Sequence, residues 1–158
     1  MSRPAKGFVN LHLGPLPRLR GSNSVLHAIR LARKENIWRF AVTLHYMDAK
    51  LDTGPIIDSK ECPIFEDDTA GALHARACDL LFDLFEDNIQ KLLLAEGRMP
   101  SVAQTGPSAF FRRGDVDHEV DLSADPTEVY DRIRALSFPG RPKPYAIVGG
   151  LKVFLSLE

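Results

Sequence analysis

Along the chain, apolar and polar positions alternate in period in a way that predicts strands separated by helices. Residues 7–12, GFVNLH, form a short apolar run interrupted by Asn10 and His12, and Pro15 and Pro17 close its exit, which predicts a buried strand. Ser22 or Ser24 can cap a helix running to about Asn36, with Val25, Ala28, Ile29 and Ala32 on its inner face. FAVTLHYMD (40–48), rich in β-branched and aromatic residues, predicts a second strand, and IIDSKECPI (56–64) a third, with the loop AKLDTGP between them. Asp67 and Asp68 introduce the strongest helical pattern, residues 69 to about 96. There Leu73, Ala77, Leu80, Leu81, Leu84, Phe85, Leu92 and Leu93 form a wide apolar stripe that Gly97 and Pro100 stop.

After Gly106-Pro107 the texture changes. AFFRRGDVDHEVDL reads as an extended, looped segment, followed by a short helix with Asp125 as N-cap, Pro126 at its first position and Glu128 completing a capping-box pattern. FPGRPKP is a turn, and YAIVGGLKVFLSL predicts a β-hairpin around Gly149-Gly150. The expected organisation is therefore an α/β body over 1–106 with a mainly parallel sheet, and a small helix-and-hairpin appendage over 107–158.

Composition adds limits. A chain of 158 residues, 44% hydrophobic and 26% charged, can bury one sizeable core. No apolar run approaches a membrane span and no signal pattern opens the chain, so the expected compartment is the cytoplasm. Cys62 and Cys78 lack ligand-like spacing, which argues against a zinc site or a disulfide framework, and no metal is expected. The net charge of −1 gives no reason to expect a nucleic-acid partner, but its distribution is uneven. Arg3, Lys6, Arg18, Arg20, Arg30, Arg33, Lys34 and Arg39 stand against Glu35 alone in residues 1–39. Such a basic first quarter could face an anionic small molecule, although Arg30, Arg33 and Lys34, at i, i+3, i+4, also suit a solvated helix face.

In open α/β sheets ligands bind beyond the carboxyl ends of strands. Asn10 and His12 fall at one such end, and Asp48 and Asp52 in the loop after the second strand fall at another. An amide, an imidazole and a carboxylate are thereby candidates for one edge, while a strand-end His or an Asp-Thr-Gly turn alone is more ordinarily structural.

GFVNLHLGPLPRLRG followed by VTLHYMDAKLDTGPII resembles the catalytic core of the 10-formyltetrahydrofolate-dependent formyltransferases, over about residues 7–95. The shared pattern is a strand with Asn-x-His, a Leu-Pro turn and Arg-Gly, then Val-Thr-x-His and a loop with Asp-x-Gly. The tail, in RIRALSFPG and the final hairpin, is similar to the short appendage of amino-sugar N-formyltransferases rather than the longer barrel of methionyl-tRNA enzymes. The resemblance implies a partial Rossmann-like domain, 10-formyltetrahydrofolate as co-substrate and a small-molecule amine acceptor. It places Asn10, His12 and Asp52 at the family's catalytic positions. His45, Tyr46, Met47, Asp48, Thr53 and Gly54 fall around the folate pocket, although His45, Tyr46 and Met47 equally suit a packed core. Arg20 and Gly21 precede a helix N-terminus, where an acceptor or cofactor anion could bind or a plain turn could sit. Arg112 and Arg113, with Phe110, could neutralise and stack on a nucleotide-linked acceptor or form a surface loop. His27, His74 and His118 read as surface or structural.

The chain also departs from the pattern. GPLP stands where Ser-Leu-Leu-Pro is common, Ala41 replaces the usual Gly, and the stretch from His12 to Asp52 is a few residues longer than usual. Members of the family carry roughly 80 to 100 residues before the Asn-x-His strand, folded as the first half of a nucleotide-binding-like sheet. Met1 lies nine residues before Asn10. A sheet lacking neighbouring strands exposes an edge, so self-association or pairing with a complementary chain is expected. The competing expectations are a formyltetrahydrofolate hydrolase and a non-catalytic relative that binds an anionic ligand or partner.

Overall fold

The computed structural model describes residues 6–157; Arg3 and the first residues of the 1–106 segment lie outside them. In chain order the elements are β1 (Val9–His12), β2 (Arg20–Gly21), α1 (Ser24–Glu35), β3 (Arg39–Tyr46), β4 (Ile56–Pro63), α2 (Ala70–Leu94), β5 (Phe110–Phe111), α3 (Pro126–Leu136), β6 (Tyr145–Val148) and β7 (Leu151–Phe154). The class is mixed α/β, as the pattern predicts.

The pairing directions differ from the expectation of a mainly parallel sheet. The largest sheet has the order β1-β3-β4 and is antiparallel throughout, and among the described residues parallel pairing is confined to β2 with β5 and a bridge between Glu119 and Tyr145. The reason is local. Residues 47–55 link β3 to its neighbour β4 without a helix, and so short a link cannot carry the chain back for parallel pairing.

Strand β3 is buried along nearly its whole length, with its two faces doing different things. Phe40, Val42 and Leu44 point into the apolar core with Leu73, Ala77 and Leu84 of α2 and Ala28, Ile29 and Ala32 of α1. Each large side chain buried there contributes about 2 kcal/mol. Ala41, Thr43 and His45 alternate to the opposite face. The register pairs Asn10 with His45 and His12 with Thr43, so the polar residues of β1 share that second face.

Two capping expectations are corrected or met in detail. Neither Ser22 nor Ser24 caps α1: Asn23 occupies the N-cap in a left-handed conformation without a side-chain cap bond, and the Ser24 hydroxyl donates to Leu13 O instead. Asp125 caps α3 as expected, accepting from Thr127 N at 2.8 Å. The apolar stripe of α2 is narrower than its sequence suggests, since Phe85 and Leu93 are exposed and Asn88 is buried with its amide on Asp58 and Leu84 O.

The tail packs onto the body. Arg134 is fully buried, with Nε donating to Asp131 Oδ1 at 2.8 Å and Nη1 to Phe65 O and Asp68 O at 3.2 Å each. Asp131 also accepts from Arg33 Nε at 3.0 Å, so Arg33 of α1 is tied to α3 rather than merely solvated. The hairpin β6–β7 forms around Gly149-Gly150, both at positive φ. Among the described residues no helix is long and apolar enough to cross a membrane.

His27 of α1 is buried, its ring stacked on Phe111 at 3.6 Å, and its Nε2 meets no hydrogen-bond partner among the described residues. Burial, reinforced by Arg30 and Arg132, lowers its pKa to about 4. The unfolded chain therefore takes up this proton more readily than the native one. Stability is full above about pH 6.5 and falls as pH drops toward 4, by up to about 3 kcal/mol. Urea unfolding at pH 7 and pH 4.5 should show this loss, and His27→Phe should flatten it.

Candidate active site

The polar face of β1 and β3 receives its third component from the 47–55 loop. Asp52 sits at φ 54°, a left-handed conformation that turns the loop back over the sheet. The loop is braced internally: Asp48 Oδ1 accepts from Lys50 N at 3.0 Å and from Thr53 Oγ1 at 2.5 Å. The Thr53 and Lys50 bonds hold the Asp48 carboxyl below its usual range. Gly54 is required by close approach, because a Cβ there would stand 1.8 Å from Tyr46 O.

The carboxylate of Asp52 is thereby placed between two imidazoles. Its Oδ2 lies 3.7 Å from His12 Nδ1 and its Oδ1 lies 3.7 Å from His45 Nε2. Both separations are longer than a hydrogen bond. Oδ2 is fixed by the backbone N–H of Gly21 at 2.8 Å. Gly21 has φ +87°, and a Cβ on it would meet Phe111 O at 2.2 Å, so β2 can run beside β5 and present this N–H only with glycine there.

Hydrogen-bond logic assigns the protons. His12 Nε2 must donate to the carbonyl of Leu19, 2.8 Å away, which leaves Nδ1 toward Asp52. Gly14 leaves room for this ring, since a Cβ at that position would be 2.7 Å from His12 Nε2. His45 Nδ1 likewise donates to Tyr46 O at 2.8 Å, so its Nε2 accepts, and Asn10 must present its Nδ2 amide to it at 3.2 Å. Burial lowers the His45 pKa, which keeps the ring in this neutral, accepting form. Asn10 retains a second amide N–H. The unit is thus a carboxylate, an imidazole with one nitrogen free for proton transfer, and an oriented amide.

The remaining expected residues divide by environment. Tyr46 is buried, with Arg98 stacked 3.9 Å over its ring and its hydroxyl accepting from Met99 N at 2.6 Å, which is a packing role. Met47 is exposed beside the loop. Arg20 donates from Nε and Nη2 to Gln104 Oε1, at 3.2 and 2.7 Å. Gly21 spends its N–H on Asp52. Arg113 lines a cavity of about 370 Å³, whereas Arg112 is exposed and not among its lining residues.

That cavity runs from His12 and Gly21 along the start of α1 to Arg113, Arg141, His74 and His118. The last two carry no motif, and only the folding of the tail over α1 and α2 brings them there. Gln104 is a further residue that sequence reasoning missed; nothing in VAQTG marks it. The edge argument from parallel strands also needs correcting. In the antiparallel β1–β3 pair the carboxyl ends point opposite ways, and the groups meet through cross-strand register and a folded-back loop. Among the described residues no cluster of three or more His, Cys, Asp or Glu is placed to hold a metal ion.

A family model described as formyl transferase matches residues 1–85. A methionyl-tRNA formyltransferase of Albidiferax ferrireducens is 33% identical over 97% of this chain and 46% of its own length. Among solved structures, a 4-N formyltransferase from Francisella tularensis superimposes with TM-score 0.82 at 25% identity, covering 95% of this chain and 61% of that one. An N-formyltransferase from Helicobacter canadensis, in complex with folinic acid and dTDP-3-aminofucose, gives TM-score 0.76 at 26% identity, covering 92% and 52%. The chain spans about half the length of the curated relatives it matches over most of its own length. With a family match over more than half of its residues, this chain belongs to the formyl transferase family.

Proposed function

We propose that this chain carries the reaction centre for moving a formyl group from 10-formyltetrahydrofolate to the amine of a small, anionic amino sugar. The observation that supports it most is the convergence of Asn10, His12 and Asp52 around one spot, with Asp52 facing both His12 and the Asn10-bound His45. Attack of an amine on a formyl carbon builds negative charge on oxygen and positive charge on nitrogen. The second amide N–H of Asn10 donates to that oxygen, and His12, when protonated, donates from Nδ1; one such donor is worth about 3 kcal/mol at the transition state. Asp52 accepts the amine's proton directly or through water and stabilises the imidazolium; collapse of the tetrahedral adduct then breaks the formyl carbon's bond to the folate nitrogen, which departs with a proton from His12 Nδ1. His45 keeps the Asn10 amide aimed. Met47, Asp48, Thr53 and Gly54 form the wall on which the folate rests.

The acceptor reading rests on the cavity beside His12. Arg113, Arg141 and the start of α1 give it a cationic lining suited to a phosphorylated or nucleotide-linked sugar. Structural similarity to a sugar N-formyltransferase covers 94% of this chain, the tail that closes this cavity included. Pairing with a second copy or a complementary chain along the side of β1 that no described strand occupies would extend the sheet.

The test is turnover of 10-formyltetrahydrofolate, by the chain alone and with an added N-terminal half from a full-length relative. Nucleotide-linked amino sugars, methionyl-tRNA or no amine are supplied in parallel. Formylated sugar is the expected product. Formate released equally without amine would replace transfer by hydrolysis, and exclusive formylation of methionyl-tRNA would overturn the acceptor. Absence of both folate binding and turnover in either mixture would leave only the non-catalytic reading.

A further inference from the structure

We propose that Gln104 is a positioning residue that locks the Asp52 loop against the Arg20-Gly21 strand and so sets where the carboxylate stands. Its side-chain amide is fully spent on this task. Nε2 donates to Asp52 O at 2.9 Å and to Gly54 O at 2.7 Å, while Oε1 accepts from Arg20 Nε and Nη2. Arg20 is followed by Gly21, whose N–H holds Asp52 Oδ2. The contacts therefore close a ring: from the Asp52 carboxylate to Gly21, back to Arg20, through Gln104, and into the backbone of Asp52 itself. Gln104 is anchored in turn by the antiparallel bridge two residues earlier, where Val102 and Ile56 exchange both backbone bonds at 2.8 Å.

The physical need is plain. Asp52 is a non-glycine residue in the left-handed region, and the loop's internal bonds from Asp48 and Thr53 do not reach across to β2. Without the clamp the loop keeps its turn but loses its register against Gly21. Asp52 already stands 3.7 Å from each histidine, so a small outward shift carries its carboxylate out of useful reach of His12 Nδ1. Glutamine alone among similar side chains offers two N–H donors and one acceptor at this reach. Glutamate would keep the Arg20 pairing but place oxygens against two carbonyls, and leucine would remove every polar contact while retaining bulk.

This inference rests on the proposed formyl transfer for its kinetic consequence but not for its structural one, and the test separates the two. Gln104→Glu and Gln104→Leu are compared with the unaltered chain, in the mixture that turns over. Displacement on the scale of an ångström predicts a kcat loss of about ten- to a hundredfold in both variants with KM changed little, and a displaced acid limb of the kcat–pH profile. In parallel, the Gly21 amide proton is followed by NMR: its bond to a carboxylate shifts it downfield, and both variants should move it back and speed its hydrogen exchange. Retention of the Gly21 shift in both variants would overturn the clamp whether or not the chain is active. A moved Gly21 signal with unchanged kcat and pH profile in an active protein would overturn its part in positioning. Should the unaltered chain show neither folate binding nor turnover in either mixture, the formyl-transfer reading fails, and the Gly21 signal alone decides the clamp.

Discussion

Asp52→Asn should lower kcat for formyl transfer by about a hundred- to ten-thousandfold while leaving the urea midpoint nearly unchanged. The substitution is chosen because it isolates charge. An asparagine oxygen can still accept from the Gly21 N–H, and the backbone carbonyl of residue 52 still accepts from Gln104, so the loop keeps its anchors. What disappears is the negative charge between His12 Nδ1 and His45 Nε2. The amine's proton then has no carboxylate to reach, and an imidazolium at His12 loses its nearest counter-charge. His12→Ala and Asn10→Ala should each cost at least a hundredfold by removing a donor to the developing oxyanion. The three losses should be far from additive, since the groups act as one unit. Near-normal turnover in Asp52→Asn would remove the carboxylate from the mechanism.

The second large effect is on stability. Arg134→Ala should destabilise the fold by about 3–5 kcal/mol, a value expected when one member of a buried ion pair is removed. Arg134 has no exposed surface, and its guanidinium serves Asp131 together with the carbonyls of Phe65 and Asp68. Truncation leaves those acceptors without a donor and opens a cavity where α3 meets α1 and the entry to α2. Urea unfolding at pH 7 measures the loss. Arg134→Lys should recover only part of it, because an ammonium cannot reproduce the planar fork that reaches Asp131 and the carbonyls of Phe65, Asp68 and Ile29. A change below about 1 kcal/mol in Arg134→Ala would mean that the tail contributes little to holding the body together.

Much of the local structure was legible because it depends on neighbours in sequence. The 3.6-residue period of 69–96, the Asp125-Pro126 start and the Gly149-Gly150 turn are short-range signals, and each element formed where its signal lay. The Asn-x-His spacing was legible too, since residues two apart on a strand share a face. Pairing direction was not. An alternation of strands and helices is compatible with either sense, and the helix-free link at 47–55 decided for antiparallel β3–β4.

The division between sequence and tertiary structure follows the range of the forces involved. The chain alone determined which chemical groups stand at the face of β1 and in the Asp-Thr-Gly loop. It determined nothing about Gln104, His74, His118 or Arg141, whose positions depend on contacts with distant segments. Nor could it distinguish Arg20 as a ligand-facing cation from Arg20 as the partner of Gln104. Periodicity and turn chemistry act over a few residues and can be read along the chain. Side-chain hydrogen bonds and ion pairs between remote segments form only after the apolar faces have fixed the geometry. The site is built from both, with reactive groups set by the sequence and their spacing by the packing.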